Sequence, residues 1–211
     1  MSKAAGAAGT RPKAVLFDYG NVLVRWDPRN LFRKLFADPA EMDWFLANVC
    51  TMDWHLRHDS GEPMAVTTAE LAAQHPKYET EIRAWADRFG EMIEGEIDGA
   101  VALIDTIKAQ GLKVGVLTNM PADQAWACFK DFSRWAALDT IIVSGFVKAA
   151  KPGDAIFGLA LHALDCAPDE VFFVDDSAKN VAAAATLGLH AHLFTTPEAF
   201  ADALHTSGFL S

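Results

Sequence analysis

The chain has 211 residues, 51% of them hydrophobic, and a formal net charge of −10. That acidity excludes nucleic acid as a partner, because binding a phosphate backbone needs a basic surface, and no stretch approaches the roughly 20 apolar residues that span a membrane. The length suits one core of about 130–150 residues with a small insertion, and three widely spaced cysteines, Cys50, Cys128 and Cys166, read as the reduced thiols of a cytoplasmic protein.

Residues 1–12 open as Met1-Ser2-Lys3-Ala4-Ala5-Gly6, lack the apolar stretch of a signal peptide, and are expected to form a flexible tail. Ala14-Val15-Leu16-Phe17 follows as an apolar run closed by Asp18. From Trp26-Asp27-Pro28 onward the pattern turns helical: Leu31, Phe32, Leu35 and Phe36, then Trp44, Phe45 and Leu46. A helix over Thr68–Ala73, capped by Thr67 or Thr68, comes next, and then a helical stripe of Ile82, Trp85, Phe89, Met92 and Ile93. Gly95-Glu96-Ile97-Asp98-Gly99 returns the chain to the core. Residues 26–97 are therefore expected to be an inserted α-helical cap, and 13–25 with 98–211 the core.

Val101, Leu103, Ile104 and Ile107 mark a helix, after which strand and helix alternate. The runs Val114-Gly115-Val116-Leu117, Ile141-Ile142-Val143-Ser144, Val171-Phe172-Phe173-Val174 and Ala191-His192-Leu193-Phe194 are short and mostly apolar, as buried parallel strands are. The expected fold class is α/β, a Rossmann-like doubly wound parallel sheet core with an inserted α-helical cap. Polar residues stand where the runs end: Asp18, Thr118-Asn119, Lys151-Pro152 a little beyond the third, and Asp175-Asp176. In open α/β sheets the strand C-terminal edge is where ligands bind.

These residue types can assemble a metal-assisted phosphoryl-transfer site. Asp18 would attack phosphorus and form an aspartyl-phosphate, splitting one hard displacement into two easier ones. Asp18, Asp175 and Asp176 put up to three negative charges beside an anionic substrate; at about 4 Å and an effective dielectric of roughly 20, each like-charge pair costs on the order of 4 kcal/mol. Mg²⁺ and Lys151 would offset that charge. Thr118 and Asn119 would donate hydrogen bonds to the phosphoryl oxygens.

Asp18-Tyr19-Gly20-Asn21-Val22-Leu23, Leu117-Thr118-Asn119, Lys151-Pro152 and Val174-Asp175-Asp176-Ser177 resemble, in order, the four motifs of the haloacid dehalogenase-like hydrolase superfamily. The resemblance runs from about Lys13 to Phe200, and the wide gap between the first two motifs looks like the subgroup with a helical cap after the first strand. The surroundings of Asp18 are most similar to bacterial glucose-1-phosphate-type sugar phosphatases and to the phosphatase domain of soluble epoxide hydrolase. The resemblance implies hydrolysis of small phosphate monoesters, sugar phosphates by preference, with Gly20 offering its carbonyl to Mg²⁺, Asp176 as direct metal ligand, Asp175 acting through water or alongside it, and Asn180 orienting the lysine or the metal surroundings.

Gly20 stands where most phosphatases of the superfamily carry the aspartate that protonates the leaving alcohol. A general acid contributes typically about 10²–10⁴-fold, so the glycine implies a slow enzyme, a good leaving group or a donor brought in by the cap. Two other activities remain in view: a metal-independent 2-haloacid dehalogenase, disfavoured by the Asp175-Asp176 pair, and a catalytically weak protein that binds a phosphorylated metabolite. Phosphonate hydrolysis would need Lys34 or Lys77 to reach the cleft. His55 and His58 are candidates for the missing acid, though surface histidines are common. Asp27 is read as a helix cap and Asp53 as solvated. Trp44 and Trp85 are read as packing residues, Trp26 and Trp54 as lying near hinges, and His190 and His192 as structural. The aromatic cap leaves both monomer and homodimer open.

Overall fold

A computed structural model describes residues 11–211. The expected tail lies, as far as residue 10, outside the described residues. A five-stranded parallel sheet in the order β5-β4-β1-β6-β7 carries the core. It is built from β1 (Ala14–Phe17), β4 (Lys113–Thr118), β5 (Thr140–Val143), β6 (Val171–Asp175) and β7 (His190–Leu193). The last strand sits one residue earlier than expected, at His190.

Side chains alternate across the sheet, and both faces are covered. Val15, Phe17, Val114, Val116, Phe172 and Val174 pack with Ile104 and Ile107 of α6 (Asp98–Ala109) and with Phe200 and Leu204 of α11 (Pro197–Thr206). Ala14, Leu16 and Phe173 face the other way, onto α9 (Asp154–Leu164) and α10 (Ala178–Thr186). Two-sided burial is why these strands read as continuous apolar runs. β1 lies between β4 and β6 and pairs in register with both, so Phe17 stands beside Val116 and Val174. The chain crosses to opposite sides of β1, which opens a crevice at its C-terminal edge.

Between β1 and α6 the chain makes a helical insertion. β2 (Val24–Trp26) and β3 (Ile93–Glu96) pair antiparallel as a two-stranded ribbon. Between them run α1 (Arg29–Phe32), α2 (Pro39–Asn48), α3 (Met52–Asp59), α4 (Met64–Gln74) and α5 (Glu79–Asp87). Asp27 does hold the turn into α1, its Oδ1 accepting from the Arg29 amide at 2.8 Å. The ribbon was not anticipated: Ile93 ends the third stripe in a strand instead of a helix. α4 also starts earlier than expected, at Met64 after Pro63, and Thr67 is a buried interior residue and not its cap.

Trp85 is fully buried, with Phe32 at 5.7 Å and Trp54 at 5.5 Å between ring centroids. Trp54 thus packs inside the insertion and not at a hinge, while Trp44, expected to pack, is half exposed against Tyr78. Lys34 and Lys77 are tied at the surface to Glu91 and Glu41, both at 2.7 Å, so neither enters the cleft. α7 (Ala122–Phe129) and α8 (Ser144–Val147) meet closely, with Ser144 Oγ accepting from the Met120 amide at 3.0 Å. A Cβ on Gly145 would stand 2.4 Å from the Ala122 nitrogen, so only glycine permits that approach.

Candidate active site

The sheet order brings Asp18, Thr118, Lys151, Asp175 and Asp176 to one edge, where they line or adjoin a cleft of 320 Å³ beneath the insertion. Lys151 stands at its centre. Its ammonium donates to the Leu117 carbonyl at 2.7 Å and to Asp175 Oδ2 at 2.6 Å, and meets Asp18 Oδ1 at 2.9 Å. Those three contacts use all three of its protons. Burial alone would depress the Lys151 pKa, but attraction to Asp18 and Asp175 outweighs it and raises it.

The carboxylates are crowded. One oxygen of each of Asp18, Asp175 and Asp176 lies within 4.8 Å of the others. Burial first, and then the charges of Asp175 and Asp176, outweigh Lys151 and push Asp18 up to about 7. Asp176 is likewise raised, by burial and then by Asp175. Three acids that disfavour one another's charge around one lysine form an oxygen donor set suited to a hard divalent cation.

Neighbours set each acid's orientation. Asp18 Oδ1 also accepts from the Tyr19 amide at 2.7 Å. Asp175 accepts from the Ser177 amide at 2.8 Å and from Asn180 Nδ2 at 3.0 and 3.1 Å. Asn180 therefore holds the acid that holds the lysine. Asn21, in the left-handed region at φ 56°, accepts from the Trp26 amide through Oδ1 and hydrogen-bonds Asp176. It ties the ribbon to the acid pair. Thr118 ends β4, buried, and lines the cleft. Asn119 makes a pair of bonds that the sequence did not suggest: its Nδ2 donates to the Lys151 carbonyl at 2.9 Å and its Oδ1 accepts from the Lys151 amide at 2.8 Å. Its side chain clasps the lysine's backbone, and one Nδ2 hydrogen is left over beside the cleft. Gly20 lines the cleft, and a Cβ placed on it meets no atom within 4 Å.

The opposite wall comes from the insertion and is largely apolar: Val24, Trp26, Met52, Leu56, Phe89 and Ile93. His55 and Asp59 line it as well. Contrary to expectation, His55 and His58 are not at the surface; they are 4% and 0% exposed. His55 stacks on Trp26 at 5.5 Å. Burial, and then repulsion from His58, lowers its pKa to about 3, so it is neutral. Asp59, not singled out in the sequence, is 4% exposed, and its Oδ1 has no hydrogen-bond partner. The signal for it was its position four residues after His55, on one helix face.

Burial first, then the charge of Asp18, with Lys151 opposing, pushes Asp59 up to about 7. Between pH 4 and 7 the unfolded chain releases this proton while the folded one keeps it, so stability falls as pH rises through that window, by on the order of 4 kcal/mol. Asp59→Asn removes that loss. In metal-free buffer the variant is expected to melt above wild type at pH 8, with the gap closing toward pH 4; thermal melts across pH check it.

The sequence pattern of the haloacid dehalogenase-like hydrolases matches residues 12–188. The chain belongs to that family. Among its relatives in the haloacid dehalogenase-like family, Protein CbbY of Cereibacter sphaeroides is 30% identical over 90% of this chain and 89% of its own length. The phosphorylated carbohydrates phosphatase of Thermotoga maritima is 24% identical, over 84% and 82%. The fold is shared with solved structures, two of which show its range. A HAD family enzyme from Bacteroides thetaiotaomicron, in complex with magnesium and inorganic phosphate, has a TM-score of 0.65 at 22% identity, over 88% of this chain and 95% of that one. The L-2-haloacid dehalogenase of Xanthobacter autotrophicus has a TM-score of 0.62 at 19% identity, over 94% and 86%.

Proposed function

We propose that this hydrolase cleaves small phosphate monoesters with Mg²⁺, through an aspartyl-phosphate on Asp18. The observation that carries the reading is the convergence of one oxygen from each of Asp18, Asp175 and Asp176 within 4.8 Å of one another, with the Lys151 ammonium bound to the first two acids. Two donors hold Asp18 Oδ1, which leaves Oδ2 for attack on phosphorus. Asp18, Asp175, Asp176 and the Gly20 carbonyl would hold Mg²⁺, which when bound polarises the phosphoryl oxygens and offsets charge. Thr118 faces the remaining phosphoryl oxygens, Lys151 offsets the charge of Asp18 and Asp175, and Asn119 keeps Lys151 in place through its backbone. The helical insertion acts as a cap that closes the cleft to water.

The phosphatase among the relatives supports this reading. The dehalogenase reading draws on likeness of fold and leaves the acid trio without a use. Sugar phosphates are the class implied by the motif resemblance, but the cap wall points to a leaving group with an apolar face. Trp26, Met52, Leu56 and Phe89 offer it packing area, and few polar atoms of that wall, Trp26 Nε1 and Asp59 Oδ1 among them, are there to pair with a polyol's hydroxyls. The test is phosphate release from alkyl, aryl and sugar phosphates with Mg²⁺ and with chelator. Turnover lost with chelator, and kcat/KM higher for alkyl and aryl esters than for sugar esters, is the expected result. Chloride release from 2-chloropropionate that persists in chelator, with no phosphate release, would replace the reading by a dehalogenase.

A further inference from the structure

An alkoxide leaves phosphorus poorly unless it is protonated as the bond breaks, and Gly20 has no side chain to do this. In-line attack by Asp18 places the leaving oxygen on the far side of phosphorus, toward the cap. There the cleft presents one buried carboxyl, on the last residue of α3, with an unpartnered oxygen. Resting on the phosphatase reading, we propose that Asp59 is the catalytic residue that protonates the leaving oxygen and later accepts a proton from the attacking water.

The surroundings of Asp59 favour a proton on it. Its Oδ1 has no hydrogen-bond partner, and His55 Nε2, at 3.6 Å, lies beyond hydrogen-bond reach. His55 is neutral, because burial and then His58 lower its pKa, so it supplies no positive charge to hold Asp59 ionised. The groups that face it are His55 from its own helix, and Asp18 and Lys151 from the core. Its pKa, raised to about 7 by burial and by Asp18, agrees with that state.

The steps balance. Asp18 Oδ2 bonds to phosphorus as the P–OR bond breaks; the electron pair goes to the leaving oxygen, which takes the Asp59 proton and departs as ROH. Water then attacks phosphorus and gives a proton to the Asp59 carboxylate, the P–O bond to Asp18 breaks, and phosphate leaves. Asp59 ends protonated, as it began.

The test compares n-butyl phosphate, whose alkoxide needs a proton, with p-nitrophenyl phosphate, whose phenolate does not. In Asp59→Asn, butyl phosphate turnover is expected to fall about 10²–10⁴-fold. The p-nitrophenolate burst should keep its rate and be followed by slow turnover, because the water then lacks its base. Gly20→Asp added to that variant, at a position with room for a side chain, should recover part of the butyl phosphate activity. In wild type, the rate should depend only weakly on leaving-group basicity, a readout that needs no variant. A p-nitrophenolate burst slowed as much as butyl phosphate turnover, unchanged butyl phosphate turnover, or a steep leaving-group dependence in wild type overturns the assignment of Asp59 while the phosphatase reading stands. No phosphate release by wild type from any ester overturns both.

Discussion

Asp18→Asn is expected to abolish turnover, lowering kcat by roughly 10⁵-fold or more, the scale on which losing a covalent nucleophile acts. The amide is nearly isosteric but a poor nucleophile, so no aspartyl-phosphate can form. Stability should move the other way. Asp18 is held above its ordinary pKa by burial and by Asp175 and Asp176, so its charge opposes folding at neutral pH when no cation is bound. Lys151 keeps Asp175 Oδ2 at 2.6 Å as a partner in the variant. In metal-free buffer the variant should melt no lower than wild type, and Mg²⁺ should raise its melting temperature less than it raises that of wild type. Residual turnover within tenfold of wild type would assign the nucleophile elsewhere.

Lys151→Met is expected to cost both stability and rate. The methionine fills the volume but removes the cation between Asp18 and Asp175, which are 8% and 0% exposed. Taking one partner from a buried ion pair costs about 3–5 kcal/mol, because the charge left behind is neither solvated nor paired. The Leu117 carbonyl loses a donor as well. Asp175 retains Asn180 and the Ser177 amide, and Asp18 retains the Tyr19 amide, so the fold should survive. Mg²⁺ should return part of the lost stability, since a dication among the same acids takes over some of the charge. Loss of the cation that holds Asp18 and offsets the charge at the site should lower kcat about 10²–10³-fold. Urea midpoints with and without Mg²⁺, together with kcat, read out both effects; an unchanged midpoint would show that the carboxylates do not rely on the lysine.

The residues that end strands were legible because a strand buried on both faces must be apolar throughout, so Phe17-Asp18 and Val174-Asp175 stand out as abrupt changes of character. Pairing β1 between β4 and β6 then brings those ends together. The ribbon was not legible: three or four residues are too few to show a period, and Arg25 and Glu94 look like any loop. The clasp of Asn119 on Lys151 was not legible, because spacing places a residue without aiming its side chain and the partner lies on a loop 32 residues away. His55 and Asp59 share a helix face in the sequence. That this face turns inward is decided by Trp26, Trp85 and Phe89, which reach His55 from other segments. Pro63 and the apolar Met64-Ala65-Val66 hid the start of α4, where no polar cap marks the first turn.

The paired ribbon has a consequence for the insertion. Its two strands lie side by side, and the Ile97 amide donates to the Leu23 carbonyl at 2.8 Å just outside them. The core therefore meets neighbouring ends whatever lies between, and lengthening the insert adds closure entropy only slowly. Such a junction should accept a different helical insert while leaving Asp18, Lys151, Asp175 and Asp176 in place. Asp59 lies in the present insert. A graft in its place would bring new walls and take this carboxyl away, and Gly20 in the core has no side chain to replace it.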